Sequence, residues 1–412
     1  MSEIAFTESE ERQALRREVS RLASTYGRDY FTRQARNGEK TTELWLAIGK
    51  AGYLGVNLPV EYGGGGGGIG DVAAVCEELA AQGCPLLMMI VSPAICGTVI
   101  ARFGTEEQRR RWLPGIADGT ATMAFAITEP DAGTNSHHIT TTARRDPAGG
   151  WRLSGRKVFI SGVDEAAHVL VVARTEEPST LRQAQDGAGS GQATGRLRPC
   201  LFVVPTDAAG FEYTPIPMEI VSPEQQFSVF LDDVLLPEDA LVGDPDDAAA
   251  GLRQLFAGLN PERIMAASFS TGLARFALDK AVGYVSQREV WGVAIGTHQG
   301  LAHPLAQSKV EIELARLMTQ KAAALYDSAA AGQDEAEAEV AEAANMAKYA
   351  AAEAACDAAD RAVQAHGGNG ITQEYGVAGL LVAARAGRIA PVSREMILNY
   401  VGMHSLGLPK SY

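Results

Sequence analysis

Between Met123 and Val242 the chain changes texture, and this switch limits what it can fold into more than any single motif. "MAFAITE", "WRLSGRKVFISG", "HVLVVART", "RPCLFVVPT", "FEYTPIP" and "FSVFLDDVLL" are short β-rich runs split by Gly, Pro and Asp. That pattern predicts an antiparallel sheet or barrel. Both flanks read helical. "FTESEERQALRREVSRLASTY" opens on a capping-box pattern, Thr7-x-x-Glu10, with Leu15, Val19 and Leu22 at helical spacing. "TTELWLAIGKAGYLG" and "GDVAAVCEELAAQG" follow as helices. Beyond Asp246 the chain is alanine-rich. "GLRQLFAGLNPERIMAASFSTGLARFALDKAVGYVSQ" could run nearly unbroken, with Pro261 as a kink or boundary. In the next helix Leu305, Ile312, Ala315 and Met318 share a face, and small residues throughout imply close helix packing. The expected fold is α+β, mostly α: an N-terminal helical domain (1–118), a central antiparallel β-barrel-like domain (119–243) and a C-terminal four-helix bundle (244–412). Within the centre, Glu176 to Arg196 is polar and Gly/Ser/Gln-rich, and reads as an extended, mobile hairpin loop.

Composition excludes several classes of function. The chain has 412 residues, 46% of them hydrophobic and 21% charged, which suits a large core and argues against global disorder. A net charge of −14 and a pI near 5.1 argue against a nucleic-acid partner, which needs a basic face. Five scattered cysteines (Cys76, Cys84, Cys96, Cys200, Cys356) without a C-x-x-C pair suit free thiols in a reducing compartment. The charged N-terminus is not a signal peptide, and no apolar run reaches about 18 residues, so a soluble cytoplasmic protein without a membrane span is expected. "LPVEYGGGGGGIG" reads as a flexible surface loop; no G-K-[ST] follows, so it is not a phosphate-cradling P-loop. His137 and His138 are adjacent, which is poor geometry for one metal, and no metal site is expected.

Four stretches in order carry a resemblance. They are "FAITEPDAGTNSHHITTTA", "GRKVFISG", "NPERIMAA…GLARFALDKAVGYVSQREVWGVAIGTHQ" and "QAHGGNGITQEYGVAGLL". Together, in a helix–sheet–helix setting, they resemble the acyl-CoA dehydrogenases, FAD-dependent flavoproteins, over nearly the whole chain. The resemblance implies that Ile127 and Thr128 lie along the flavin ring, and that Gly133 and Thr134 lie near the substrate mouth and the FAD phosphates. Thr134-Asn135 stands where the family usually has Ser-Asp. Phe159 and Ser161 match the family's aromatic and hydroxyl positions beside the flavin. On residues alone the same stretch is a strand with Val158 and Ile160 on one face and Phe159 and Ser161 on the other. Arg288 would pair with the FAD pyrophosphate, with Trp291 replacing the usual Phe near the adenine and Gln299 following. Gln364, Gly367 and Gly368 would let the backbone approach the phosphates closely. In the family these groups come from the neighbouring subunit, so a homo-oligomer, a dimer of dimers, is implied.

The family reaction needs a base for the α-proton of a thioester. A carboxylate in a dry pocket, its proton affinity raised toward neutrality, suits that task. Many members carry it in "Y-E-G-T"; aligned on Ile389, that glutamate position falls on Pro391, and Ser393 replaces the threonine hydroxyl. Other members carry the glutamate on the first long bundle helix, just before an Arg. Here that is Glu262, with Arg263 beside it toward the substrate. First-turn placement explains Glu262 equally well from the residues alone. Glu395 is a weaker rival near the flavin. The implied function is α,β-dehydrogenation of an acyl-CoA or acyl-carrier thioester, with electrons passed to an electron-transfer flavoprotein. The missing glutamate also admits a base-less subunit of a hetero-oligomer, or a flavin monooxygenase or oxidase on the same fold.

Overall fold

The computed structural model describes residues 8–175, 198–244, 250–330 and 337–410. Thr7 and the polar stretch Glu176 to Arg196 lie outside these. The first helix, α1 (Glu10–Ser24), is capped instead by Ser9, whose hydroxyl accepts from the Arg12 N–H at 3.2 Å. α2 (Gly27–Asn37), α3 (Thr42–Lys50) and α4 (Ile69–Ala81) follow. A buried π-helical turn, Ile90–Gly97, then runs into α5 (Thr98–Phe103) and α6 (Glu106–Asp118).

The glycine run before α4 is packed, contrary to the expected flexible loop. Gly64, Gly65, Gly66 and Gly67 each donate to a carbonyl of the Gly55–Pro59 segment at 2.8–3.0 Å. A Cβ on Gly64 would stand 2.1 Å from the Leu58 carbonyl oxygen. The run ends on α4, where Asp327 from a distant helix accepts from the Ile69 and Gly70 N–H groups at 2.7 and 3.0 Å. Glycine serves here for close backbone approach.

The centre is one seven-stranded sheet: β1 (Thr122–Ala126), β2 (Thr142–Arg145), β3 (Trp151–Ser161), β4 (Ala166–Thr175), β5 (Arg198–Pro205), β6 (Phe211–Ile216) and β7 (Gln226–Leu236). It is mixed, not wholly antiparallel, because β1 and β2 both run parallel to β4. The chain must therefore cross back between β1 and β2, and Ile127–Thr141 makes that crossing. β1, β4 and β5 are buried on both faces. Met123, Phe125, Leu170 and Val172 join the helical core, while Ala124, Ala126, Val169 and Val171 join a second core behind the sheet. Two-sided burial explains why "HVLVVA" reads as a continuous apolar run.

The long helices follow: α7 (Ala250–Gln287), then a small hairpin of β8 (Glu289–Val290) and β9 (Val293–Ala294), α8 (Gln299–Ala330) and α9 (Glu337–His366). Shorter α10 (Ala378–Ile389) and α11 (Arg394–Tyr400) close the chain. Pro261 neither ends nor breaks α7. Proline has no N–H for the Ala257 carbonyl one turn back, and the Tyr326 hydroxyl donates to that oxygen instead, at 3.1 Å. On α8, Leu305, Ile312 and Ala315 face the core, with Met318 packed beside them, as the spacing predicts.

Candidate active site

The first two motifs meet at the end of β1. Lys157 is fully buried; its Nζ donates to the Ile127 carbonyl (3.0 Å) and to Glu129 Oε1 (2.9 Å). The Val158 N–H donates to the Thr128 carbonyl at 2.9 Å. Glu129 also accepts from the N–H and hydroxyl groups of Thr140 and Thr141, which closes the crossing loop on itself. Burial alone would raise the Glu129 carboxyl, but the Thr141 hydroxyl and Lys157 more than offset it and hold it down to about 2. Burial brings Lys157 down to about 8 against the pull of Glu129.

This clamp sets the edge that the resemblance assigns to a flavin. A register shift in the β3–β7 pairing places Phe159 in a left-handed conformation (φ 57) and leaves its ring 57% exposed, while Val158 and Ile160 point inward. Such backbone strain on an aromatic residue is uncommon away from functional sites. Ser161 lies on the outer side with Phe159, but its hydroxyl pairs with the Gln226 amide (2.9 Å), a partner the sequence reading missed. Gly133 and Thr134 lie exposed on the crossing loop, and a Cβ on Gly133 would meet nothing within 4 Å.

A second cluster forms around the β8–β9 hairpin. Trp291 and Gly292 make its turn, both with positive φ, and Trp291 is 88% exposed. Arg288 leads into the hairpin and Gln299 starts α8. Tyr284 on α7 stacks on His366 (4.3 Å between rings) and accepts from Asn369 Nδ2 at 3.0 Å. That brings the turn after Gln364 beside the Arg288 segment. Gly367 (φ 57) and Gly368 face open space. Among the described residues, no hydrogen bond, ion pair or ring contact joins this cluster to the Phe159 edge.

The third cluster surrounds the turn between α10 and α11. Ala390, Pro391 and Val392 form it, and Ser393 caps α11, its hydroxyl accepting from the Met396 N–H at 3.3 Å. That hydroxyl keeps its own proton to donate. Glu395 is exposed and lies 3.4 Å from Arg394 Nε, on the solvent side. Glu262 is half-buried on α7. Burial raises its carboxyl to about 7, against the opposing charges of Arg263 and Lys348. Arg263 donates to the Leu259 carbonyl at 3.0 Å, and its Nε is buried without a partner. Lys348, on α9, is buried and donates to the Val392 carbonyl. It was not singled out in the sequence; a lysine beside the Ala343, Ala344, Ala347 and Ala351 stripe of an alanine-rich helix was its only signal.

An exposed aromatic beside hydroxyls, glycines without a Cβ and nearby cations suit a flavin dinucleotide. Comparison with known proteins agrees. The acyl-CoA dehydrogenase N-terminal, middle and C-terminal domain models match residues 9–120, 124–229 and 249–406. The chain therefore belongs to the acyl-CoA dehydrogenase family, oxidoreductases that act on CH–CH groups with FAD. Acyl-CoA dehydrogenase FadE12 of Mycobacterium tuberculosis is 62% identical over all 412 residues of both chains. Glutaryl-CoA dehydrogenase from Mycobacterium smegmatis, in complex with FADH2, superposes with a TM-score of 0.84 at 26% identity, covering 98% of this chain and 96% of that one. A structure described as electron transferring flavoprotein of Acidaminococcus fermentans superposes with a TM-score of 0.85 at 26% identity, covering 98% and 99%. No helix among the described residues is long and apolar enough to cross a membrane.

Proposed function

We propose that this chain dehydrogenates an acyl-CoA or acyl-carrier thioester with Glu262 as the base. The observation that carries this reading is a half-buried carboxylate whose affinity for a proton is raised to about 7, acted on by Lys348, the lysine that donates to the Val392 carbonyl of the Pro391 turn. A base poised near neutrality transfers a proton most effectively. Glu262 takes the α-proton. FAD, when bound, supplies the acceptor for the β-hydride. Arg263, with its buried unpaired Nε, holds the substrate end of the site. Ile127, Thr128, Phe159, Ser161 and Ser393 line the flavin, with Gly133 and Thr134 at the substrate mouth. Arg288, Trp291, Gln299, Gln364, Gly367 and Gly368 bind the adenosine diphosphate part of FAD held by a neighbouring copy. The wide exposure of Trp291 supports that assignment. The assembly is then a dimer of dimers, and an electron-transfer flavoprotein reoxidises it. Glu395, exposed and paired to Arg394, serves α11 instead of the chemistry.

The test is an anaerobic titration with a panel of acyl-CoAs, following flavin bleaching in wild type and Glu262→Gln. The variant is expected to bind substrate and bleach at least about a hundredfold more slowly, the scale of a lost general base. Bleaching at the wild-type rate would show that the proton goes elsewhere. Activity that appears only with a second gene product would assign the base to a partner subunit.

A further inference from the structure

Lys348 has no role in the assignments above, yet it is 1% exposed. A buried ammonium is costly unless it is paired. Among the described residues it hydrogen-bonds to the Val392 carbonyl, in the turn that carries Pro391. Around it stand Glu262 and Arg263 from α7, Glu353 on its own helix and Glu395 from α11. Glu262 in turn faces Arg263, Lys348 and the thiol of Cys96 on the π-helical turn. Two of these elements, α7 and the α10–α11 turn, meet on one lysine side chain.

We infer that Lys348 is a positioning residue for proton abstraction: its ammonium holds the Pro391 turn by the Val392 carbonyl and adds to Arg263 a second positive charge that Glu262 faces. This rests on the reading of Glu262 as the base. Arg263 already spends one guanidinium nitrogen on the Leu259 carbonyl. Lys348 is thus the cation that links the base to the turn where the family resemblance places a glutamate. Its positive charge favours the ionised carboxylate. Without it, only Arg263 opposes the effect of burial on Glu262, and less of the base is ionised at neutral pH. Burial also lowers Lys348, to about 8, so its charge fades in mildly alkaline solution.

The experiment measures the rate of flavin bleaching against pH, anaerobically, with the best acyl-CoA and FAD-loaded protein. Wild type shows an acidic limb, and Glu262→Gln removes it. Lys348→Gln keeps a donor for Val392 but loses the charge. It is expected to move the limb up by about one pH unit and to slow bleaching at pH 7 about fivefold, with the apparent substrate affinity unchanged. Lys348→Arg keeps the charge and leaves the limb in place. Should Lys348→Gln fail to fold, Lys348→Met takes its place. An unmoved limb in whichever neutral variant binds FAD overturns the inference. So does loss of FAD from both neutral variants while Lys348→Arg retains it, which would mark a purely structural tie. A limb that survives Glu262→Gln instead removes Glu262 as the base, an outcome separate from either.

Discussion

At the scale of single residues, the charges that matter here are buried, and each has a distinct dependence on pH. The folded-state affinity of Glu262 for its proton lies near 7, above the usual 4.5. The native state therefore holds that proton more tightly than the unfolded chain. The stability this contributes is full below about 4.5 and is lost as pH climbs through 7. Glu262→Gln imitates the protonated form. It should gain stability over wild type as pH rises from about 4.5 to 7, then stay level; thermal melts across that range would show it. Catalysis runs the other way, since the ionised form is the base, so activity should fall as pH drops below 7. Lys157 is a different case. Lys157→Met leaves Glu129 buried without its cation, at a cost of about 3–5 kcal/mol. Urea denaturation would measure that cost, and FAD occupancy should fall because the Ile127 and Thr128 edge loses its tie.

At the scale of elements, glycine and proline acted as packing devices rather than as punctuation. The six consecutive glycines look like a linker, but Gly64 is pressed on the Leu58 carbonyl. Gly64→Ala should destabilise the protein by about 1–3 kcal/mol, the usual range for overpacking, as read by a lowered melting temperature. A flexible loop would tolerate the same change. Pro261 looks like a helix boundary, yet α7 continues because a hydroxyl from α8 replaces the missing donor. Neither outcome could be read locally. In both, the partner that decides the conformation comes from elsewhere: Leu58 across a loop, Tyr326 from a separate helix.

At the scale of the whole molecule, one buried charge network ties the N-terminal helices to the C-terminal bundle. Glu77 and Glu78 on α4 receive Arg16 from α1 and Arg275 from α7, and Arg316 from α8 reaches Glu77. Glu77→Ala leaves Arg316 with Glu313 alone and Arg275 with Glu78 alone, and should cost about 3–5 kcal/mol in chemical denaturation, against nearly nothing for the exposed Glu18, which pairs with Arg21. The architecture itself was open to reading. Helical spacing, β-rich runs and alanine-rich stretches are local patterns, and they reported the three-part layout; the four motif segments came from the family resemblance. Periodicity cannot give strand direction, which depends on how the crossing loop closes, and so the expected antiparallel sheet became a mixed one. Nor could it pair Ser161 with Gln226 or set Lys348 against Glu262. The sequence by itself determined which residue types stand along each helix and strand, because those choices answer to propensity and burial within a few residues. Only the tertiary structure decided which carboxylate is desolvated, which cation faces it and which turn they share. Those properties arise from groups far apart in the chain, Glu262, Lys348 and Val392, meeting where water is excluded.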